Sequence, residues 1–135
     1  MDKLTILTPA TPVRYAVPFK SDVVRALLPK GIVGAYLLIN EGQPIYIGRS
    51  DKCLRSRLAV HPLLGKATHV VYEPCQNQVP AYHVEAYWYH ELESSDRLNL
   101  IHPARPAYTE YSCPFCKRKE VEAIDVAING FGAAA

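Results

Sequence analysis

Residues 34–61 read GAYLLINEGQPIYIGRSDKCLRSRLAVH, and this stretch decides the fold. It begins within an apolar run rich in β-forming residues, 33–39, which is followed by the turn-prone residues 41–44. A second short run of β-forming residues, 45–48, comes directly afterwards. Two strands joined by a tight loop are therefore predicted.

A helix is predicted after the second strand. Ser50 or Asp51 can cap its N-terminus, and Pro62 cannot continue it. At 100° per residue, Arg57 and His61 lie on the same side of this helix, beside the face that should be buried. An arginine and a histidine four residues apart at that position suggest a role beyond packing.

The two predicted strands each carry a tyrosine, Tyr36 and Tyr46. If the loop holds an odd number of residues, for example 41–43, both rings point to the same face of the sheet. They would then form one polar group with Arg57 and His61. The alternative is a pair of half-buried strand tyrosines with a packing role only.

The rest of the chain fits a single domain of the α/β (α+β) class, with a small, mostly antiparallel sheet flanked by helices. Its 135 residues, 49% of them hydrophobic, can form a modest core. Residues 1–31 are predicted to be an N-terminal extension packed on the core, with extended pieces and a short helix over 23–28. The core spans 32–102. Residues 103–135 form a C-terminal segment with a helix over 120–128 and a frayed end.

A carboxylate stands out on the predicted helix over 81–93. A strand is predicted over 68–72 and a polar loop over 74–80 before it. The apolar stripe of this helix consists of Ala81, Val84, Trp88 and Leu92. Glu85 lies just beyond the edge of that stripe, where a carboxylate costs free energy unless it meets a cation or a donor. The alternative is an exposed glutamate at the rim.

Charge is unevenly distributed along the chain. The net charge is only +2, but residues 49–66 hold five basic residues against one aspartate. A basic stripe is the electrostatic footprint of a nucleic-acid-binding protein, and a solvated helix face is the alternative. Because no apolar run approaches 18 residues and no secretion signal is recognised, we expect a cytoplasmic protein without a membrane span.

Four cysteines are too few for a disulfide framework, and we expect them to be reduced. Cys113 and Cys116 form a CPFC sequence, which is half of a tetrahedral zinc site. Cys75, His90 or His102 could complete it if the fold brings them close. The two interpretations are a zinc site and a pair of plain thiols in a turn, and plain thiols are the prediction from sequence.

The ordered set GAY at 34–36, YIG at 46–48, Arg57, His61 and Glu85 resembles the GIY-YIG nuclease family. Members of that family cut DNA phosphodiesters with a divalent metal held by one glutamate from a later helix. The resemblance runs from Gly34 to Asn99, about half of the chain. The HPARP sequence at 102–106, followed by CPxC, resembles a bacterial subgroup.

The resemblance implies a role for each motif residue. Glu85 would bind Mg²⁺ or Mn²⁺, and Arg57 would stabilise the charge that develops on the phosphate. Tyr36 would act as general base, with Tyr46 holding the water or the phosphate. His61 would be a second base or a phosphate contact. The residues predicted to contact DNA are Arg49, Lys52, Arg55, Lys66 and Asn99.

The chain departs from the family pattern in two places. The first signature is GAY rather than GIY, and alanine still suits a strand. Arg57 follows Tyr46 by eleven residues, where ten is the commonest spacing, so Arg55 competes for the role. Arg57 is preferred because it alone has a histidine at i+4 and lies on the face of Leu54.

The predicted function is a metal-dependent DNA endonuclease. With no recognition domain visible, structure-selective or weakly sequence-specific cutting is expected, and a protein partner or a second copy of the chain could supply DNA specificity. The first alternative is an inactive DNA-binding module of the same fold, against which Glu85 argues. The second is a structural or partner-binding domain organised by Cys113 and Cys116.

Overall fold

The computed structural model describes residues 5–6, 14–92 and 101–116. Its elements are β1 (Thr5–Ile6), β2 (Arg14–Tyr15), β3 (Val17–Pro18), α1 (Ser21–Leu27), β4 (Val33–Asn40), β5 (Gln43–Ser50), α2 (Leu54–Ala59), β6 (His69–Cys75) and α3 (Gln78–Leu92). β3, β6, β4 and β5 form, in that order, a four-stranded antiparallel sheet. The predicted α+β class is confirmed. Asn99, the predicted helix over 120–128 and the predicted frayed end lie outside the described residues.

The hairpin between β4 and β5 closes through a shorter turn than predicted. Glu41 and Gly42 are its two loop residues, with φ values of 49° and 84°. Two successive positive φ values are typical of the type I′ turn, which matches the twist of antiparallel strands. An odd number of loop residues, for example 41–43, was the stated condition for a common face of Tyr36 and Tyr46, and the two-residue loop does not meet it.

A bulge nevertheless places both tyrosines on the same face of the sheet. A two-residue loop with regular pairing would put Tyr36 and Tyr46 on opposite faces. The register shifts between Leu38 and Ile39, so Tyr36 lies opposite Gly48 and Leu38 lies opposite Tyr46. The predicted common face is confirmed, and its cause is the extra residue in β5.

Each face of the sheet packs against its own helices. Successive strand residues point to opposite faces, and the buried side chains accordingly form two clusters. The cluster with α1 and α2 includes Val24, Tyr36, Leu38, Leu54, Leu58 and Val70. The cluster with α3 includes Leu37, Ile39, Ile47, Val71, Val84 and Trp88. β5 forms one edge of the sheet.

The predicted polar loop over 74–80 is largely absent. β6 continues to Cys75 because it pairs with β4 along its whole length. Pro74 is tolerated since β3 covers only the start of β6, so that β6 is an edge strand there. α3 begins at Gln78, where Asn77 Oδ1 accepts the N–H of Val79 at 2.9 Å and caps the helix.

The other two helices also start at residues that differ from the predicted ones. α2 has Cys53 as its N-cap residue, while Ser50 Oγ accepts the N–H of Cys53 at 3.0 Å. Ser21 Oγ, in α1, donates to the Ala59 carbonyl of α2 at 3.1 Å and joins the two helices. Within the described part of the chain, no helix has the length and apolarity needed to cross a membrane.

Candidate active site

A cleft of about 640 Å³ opens where β5 ends and α2 begins. Residues from β5, α2, α3 and the segment 101–116 contribute to its walls. Its charged lining residues are Arg49, Asp51, Lys52, Arg57 and Glu85. A cleft with three cations and two carboxylates can hold a polyanion and a metal ion together.

Glu85 is the most buried charged group in this cleft, with 8% of its surface exposed. Its Oε1 accepts a hydrogen bond from Arg49 Nη1 at 2.7 Å. Burial raises the pKa of Glu85 to about 7, although Arg49 acts in the opposite direction. Among residues 14–92 and 101–116, no other group donates a hydrogen bond to this carboxylate. Its negative charge is therefore only partly compensated by protein groups.

Arg49 holds the walls of the cleft together. Besides Glu85, its guanidinium contacts Asp51 at 2.6 Å and donates to the carbonyl of Ala104 at 2.8 Å. It also lies over the ring of Tyr82, with 5.4 Å to the ring centroid. Arg49, predicted to contact DNA, is thus occupied by protein groups here. The sequence offered no sign of its pairing with Glu85, which lies 36 residues away.

The register of α2 separates the two competing arginines. Arg57 is exposed and lines the cleft, and its Nη2 donates to the Arg49 carbonyl at 3.4 Å. Arg55 lies instead with Arg25 and Lys30 along a second groove of about 440 Å³. Of these two arginines, only Arg57 lines the cleft together with Glu85.

A second group of polar side chains lies on the α2 face of the sheet. The rings of Tyr36 and Tyr46 are stacked, with centroids 6.2 Å apart. His61 Nε2 lies 3.2 Å from Tyr36 Oη, and His61 Nδ1 accepts the N–H of Leu63 at 3.1 Å. Because Nδ1 accepts, the neutral imidazole carries its proton on Nε2 and donates it to Tyr36. Burial and, secondly, Arg57 lower the pKa of His61, which favours this neutral form.

Tyr36 is almost fully buried, with 1% of its surface exposed. Burial is the largest cause that raises its pKa, followed by the charge of Tyr46, whereas Arg57 lowers it. Tyr36 is thus a neutral phenol near pH 7 when only protein groups surround it. Arg57 lowers the pKa of both Tyr36 and His61, but neither of these two residues is among those that line the cleft.

Gly48 makes room for the ring of Tyr36. A Cβ atom at Gly48 would collide with Cζ and Oη of Tyr36, so the ring can cross β5 only because position 48 lacks a side chain. Gly48→Ala is expected to destabilise the protein by about 1–3 kcal/mol, the usual cost of overpacking. Urea denaturation measures the free energy of unfolding of Gly48→Ala against wild type, and of Tyr36→Leu/Gly48→Ala against Tyr36→Leu. If Gly48→Ala lowers this free energy equally in both comparisons, the ring of Tyr36 is not the cause of the destabilisation.

Cys53 lies in the wall of the cleft and has an activated thiol. Ser56 Oγ and the N–H of Gly31 each approach its sulfur at 3.3 Å, and these hydrogen bonds lower its pKa to about 7. The rate of alkylation by iodoacetamide should therefore fall as the pH drops through about 7. Mass spectrometry of the Glu-C peptide 42–73 measures this rate. Ser56→Ala should move the midpoint to higher pH, and an unchanged midpoint would contradict the assignment.

The remaining predicted DNA contacts have different surroundings. Lys52 and Lys66 are both exposed, and Lys52 lies at the cleft. Asn99 lies outside the described residues. Lys66 is not among the residues that line the cleft, so only Lys52 of this pair lies where a phosphate chain in the cleft would pass.

Four potential metal ligands meet near the C-terminal end of α3. The side-chain ligand atoms of His90, His102, Cys113 and Cys116 all lie within 4.8 Å of one another. Two of the three candidates for the missing zinc ligands, His90 and His102, therefore join the CPFC pair, and Cys75 does not. The sequence signal for His102 was its closeness to the pair along the chain. His90 was also named as a candidate from the sequence, but only the fold shows that it lies beside the pair.

No protein-family model, curated protein or solved structure matches this chain significantly. The resemblance to the GIY-YIG family therefore rests on the motif residues alone. Whether the resemblance extends to activity therefore has to be judged from the residues around Glu85.

Proposed function

We propose that this chain is a divalent-metal-dependent endonuclease that hydrolyses phosphodiester bonds in DNA. One observation carries the proposal. The buried carboxylate of Glu85 and the exposed guanidinium of Arg57 line the same cleft. Arg57 and Glu85 are also members of the motif that resembles GIY-YIG nucleases, although they are far apart in sequence.

Glu85 is the proposed ligand of Mg²⁺ or Mn²⁺. A single buried carboxylate whose charge is only partly compensated fits such a hard cation, which prefers oxygen ligands and keeps several waters. A cation held there would supply Lewis-acid polarisation of the phosphoryl oxygen and neutralise charge on the departing oxygen. Arg49 is assigned to holding Glu85 at the cleft rather than to contacting DNA.

Arg57 is the proposed stabiliser of the transition state. Its planar guanidinium offers several donors to the phosphate oxygens on which charge develops. Since its side chain is exposed and bonded only weakly to the Arg49 carbonyl, at 3.4 Å, it can turn to a bound phosphate.

Tyr36 is the proposed general base, a role that requires its phenol to have lost its proton to solvent first. A neighbouring cation would favour that form, and His61 is proposed to position Tyr36. His61 Nε2–H donates a hydrogen bond to Tyr36 Oη, and this bond fixes the orientation of the phenol oxygen. Arg57 lowers the pKa of Tyr36 against the larger effect of burial. Tyr46, stacked on Tyr36, is proposed to hold the water or the phosphate.

The DNA backbone is proposed to follow the basic residues around α2. Lys52 lies at the cleft, and Arg55 with Arg25 and Lys30 lines the neighbouring groove. Lysine and arginine contacts to phosphates make binding weaken with salt. A path of this kind reads charge and shape rather than bases, in keeping with structure-selective or weakly specific cutting.

A supercoiled plasmid distinguishes the proposed function from its alternatives. The protein is desalted into metal-free buffer, and Mg²⁺ or Mn²⁺ is then added. The nuclease hypothesis expects nicked and linear DNA only with added metal. Gel retardation without any cutting would instead favour an inactive DNA-binding module. Neither cutting nor retardation would favour a structural or partner-binding domain.

A further inference from the structure

We infer that His90, His102, Cys113 and Cys116 form a zinc site that fastens the segment 101–116 to α3. This site is separate from the proposed nuclease centre, and it would stand even if the protein did not cut DNA. Two imidazole nitrogens and two thiolates are a ligand set typical of structural zinc.

The distances between the ligand atoms fit a tetrahedral ion. With bond lengths of about 2.3 Å to sulfur and about 2.0–2.1 Å to nitrogen, tetrahedral angles place two nitrogens about 3.3 Å apart and nitrogen and sulfur about 3.6 Å apart. The two Nε2 atoms of His90 and His102 are 3.2 Å apart. His90 Nε2 lies 3.4 Å from each sulfur, and His102 Nε2 lies 3.3 Å from Cys116. Each distance is close to the tetrahedral value.

Hydrogen bonds alone do not account for this arrangement. His90 Nε2 has three close neighbours, namely His102 Nε2, Cys113 Sγ and Cys116 Sγ. A ring nitrogen has either one proton or one lone pair in the ring plane, so it cannot make three good hydrogen bonds. A metal ion at the centre of the four atoms needs only one lone pair from each.

The second nitrogen of His102 supports the same conclusion. His102 Nδ1 donates to the carbonyl of Pro103 at 2.9 Å. This places the proton on Nδ1 and leaves the lone pair of Nε2 directed to the cluster. A backbone carbonyl that orients a histidine in this way is the usual outer partner of a zinc ligand.

The site has a consequence for the cleft. His102 is two residues from Ala104, whose carbonyl accepts a hydrogen bond from Arg49 at 2.8 Å. Arg49 in turn donates to Glu85. A metal that holds His102 to α3 therefore also holds one wall of the cleft in place. Residues 101–116 contain little regular structure of their own, a single helical turn at 114–116.

Elemental analysis of the purified full chain tests the site directly. Protein expressed without added zinc should contain about one zinc per chain. Cys116→Ser should remove most of it, while Cys75→Ser, which changes a thiol outside the cluster, should retain it. Since Cys116 is exposed, its replacement should spare the core of the fold. Equal zinc in both variants would overturn the proposal, and so would iron or nickel in place of zinc.

Two further measurements cover the case in which zinc is lost during purification or Cys116→Ser folds poorly. Co²⁺ added to reduced, metal-free protein should give the visible bands of tetrahedral cobalt and a thiolate charge-transfer band. Hydrogen exchange should show faster exchange at 101–116 and 49–53 after zinc removal, with 69–75 unchanged. An absence of cobalt bands, or exchange that is the same with and without metal, would overturn the proposal.

Discussion

Glu85→Gln is expected to abolish DNA cleavage, with a loss of at least about 10³-fold, since a bound cation contributes several kcal/mol to transition-state stabilisation. The amide keeps the shape of the side chain and can still accept the hydrogen bond of Arg49, so the fold should persist. DNA affinity should change little, because removing a carboxylate from a basic cleft also removes repulsion of phosphate. Plasmid nicking at saturating Mg²⁺ measures the rate.

Glu91→Gln is the matched control for this prediction. Glu91 lies on α3 as Glu85 does, but its side chain is exposed. The Glu91→Gln variant should cut DNA at the wild-type rate. If Glu85→Gln retained a tenth or more of wild-type activity with added Mg²⁺, Glu85 would have no place in the mechanism.

Arg57→Ala is expected to reduce cleavage by about 10²- to 10³-fold, the usual loss when one preorganised donor is removed from a transition state. Its effect on DNA binding should be much smaller, because one exposed cation among several contributes little to affinity. Rates from single-turnover cleavage and dissociation constants from gel retardation separate the two effects. Arg57→Lys should recover only part of the rate, since an ammonium lacks the planar set of donors.

Arg55→Ala is the control on the same helix. Because Arg55 lines the groove with Arg25 and Lys30, its loss should reduce the salt dependence of binding and leave the rate at saturating DNA close to wild type. A result in which Arg55→Ala is inactive and Arg57→Ala is active would place the catalytic arginine in the other groove.

The hairpin and the position of its tyrosines followed from local patterns. Two runs of β-forming residues around a turn-prone centre predict a hairpin directly, and the period of two in a strand fixes which side chains share a face. The common face of the tyrosines had been made conditional on an odd number of loop residues, and the loop has two. A bulge in β5 compensated for the difference, and no residue pattern in 43–46 signals a bulge clearly.

The start of α3 was predicted too late for a simpler reason. Pro74 and Pro80 suggested a loop, but a proline is tolerated in an edge strand and in the first turn of a helix. Asn77 was the available signal, as a residue with strong N-capping preference. It marks the observed helix start.

Contacts between distant segments were the part that the sequence could not reveal. The pairing of Arg49 with Glu85 and the meeting of His90 with Cys113 and Cys116 depend on how α3 packs on the sheet and how the segment 101–116 returns along it. Spacing along the chain has no information on such packing. The resemblance to GIY-YIG nucleases pointed to Glu85, but it did not indicate that Arg49 would donate a hydrogen bond to one of the carboxylate oxygens of Glu85.

The most direct test of a catalytic cation at Glu85 is the number of Mn²⁺ ions that each chain binds, measured by electron paramagnetic resonance on zinc-loaded protein with uncleavable DNA. Zinc keeps Mn²⁺ out of the cysteine cluster, because thiolates bind zinc far more strongly. Wild type and Glu91→Gln should each bind about one Mn²⁺ per chain, and Glu85→Gln should bind almost none. Equal Mn²⁺ binding by wild type and Glu85→Gln would contradict the assignment of Glu85 as the metal ligand.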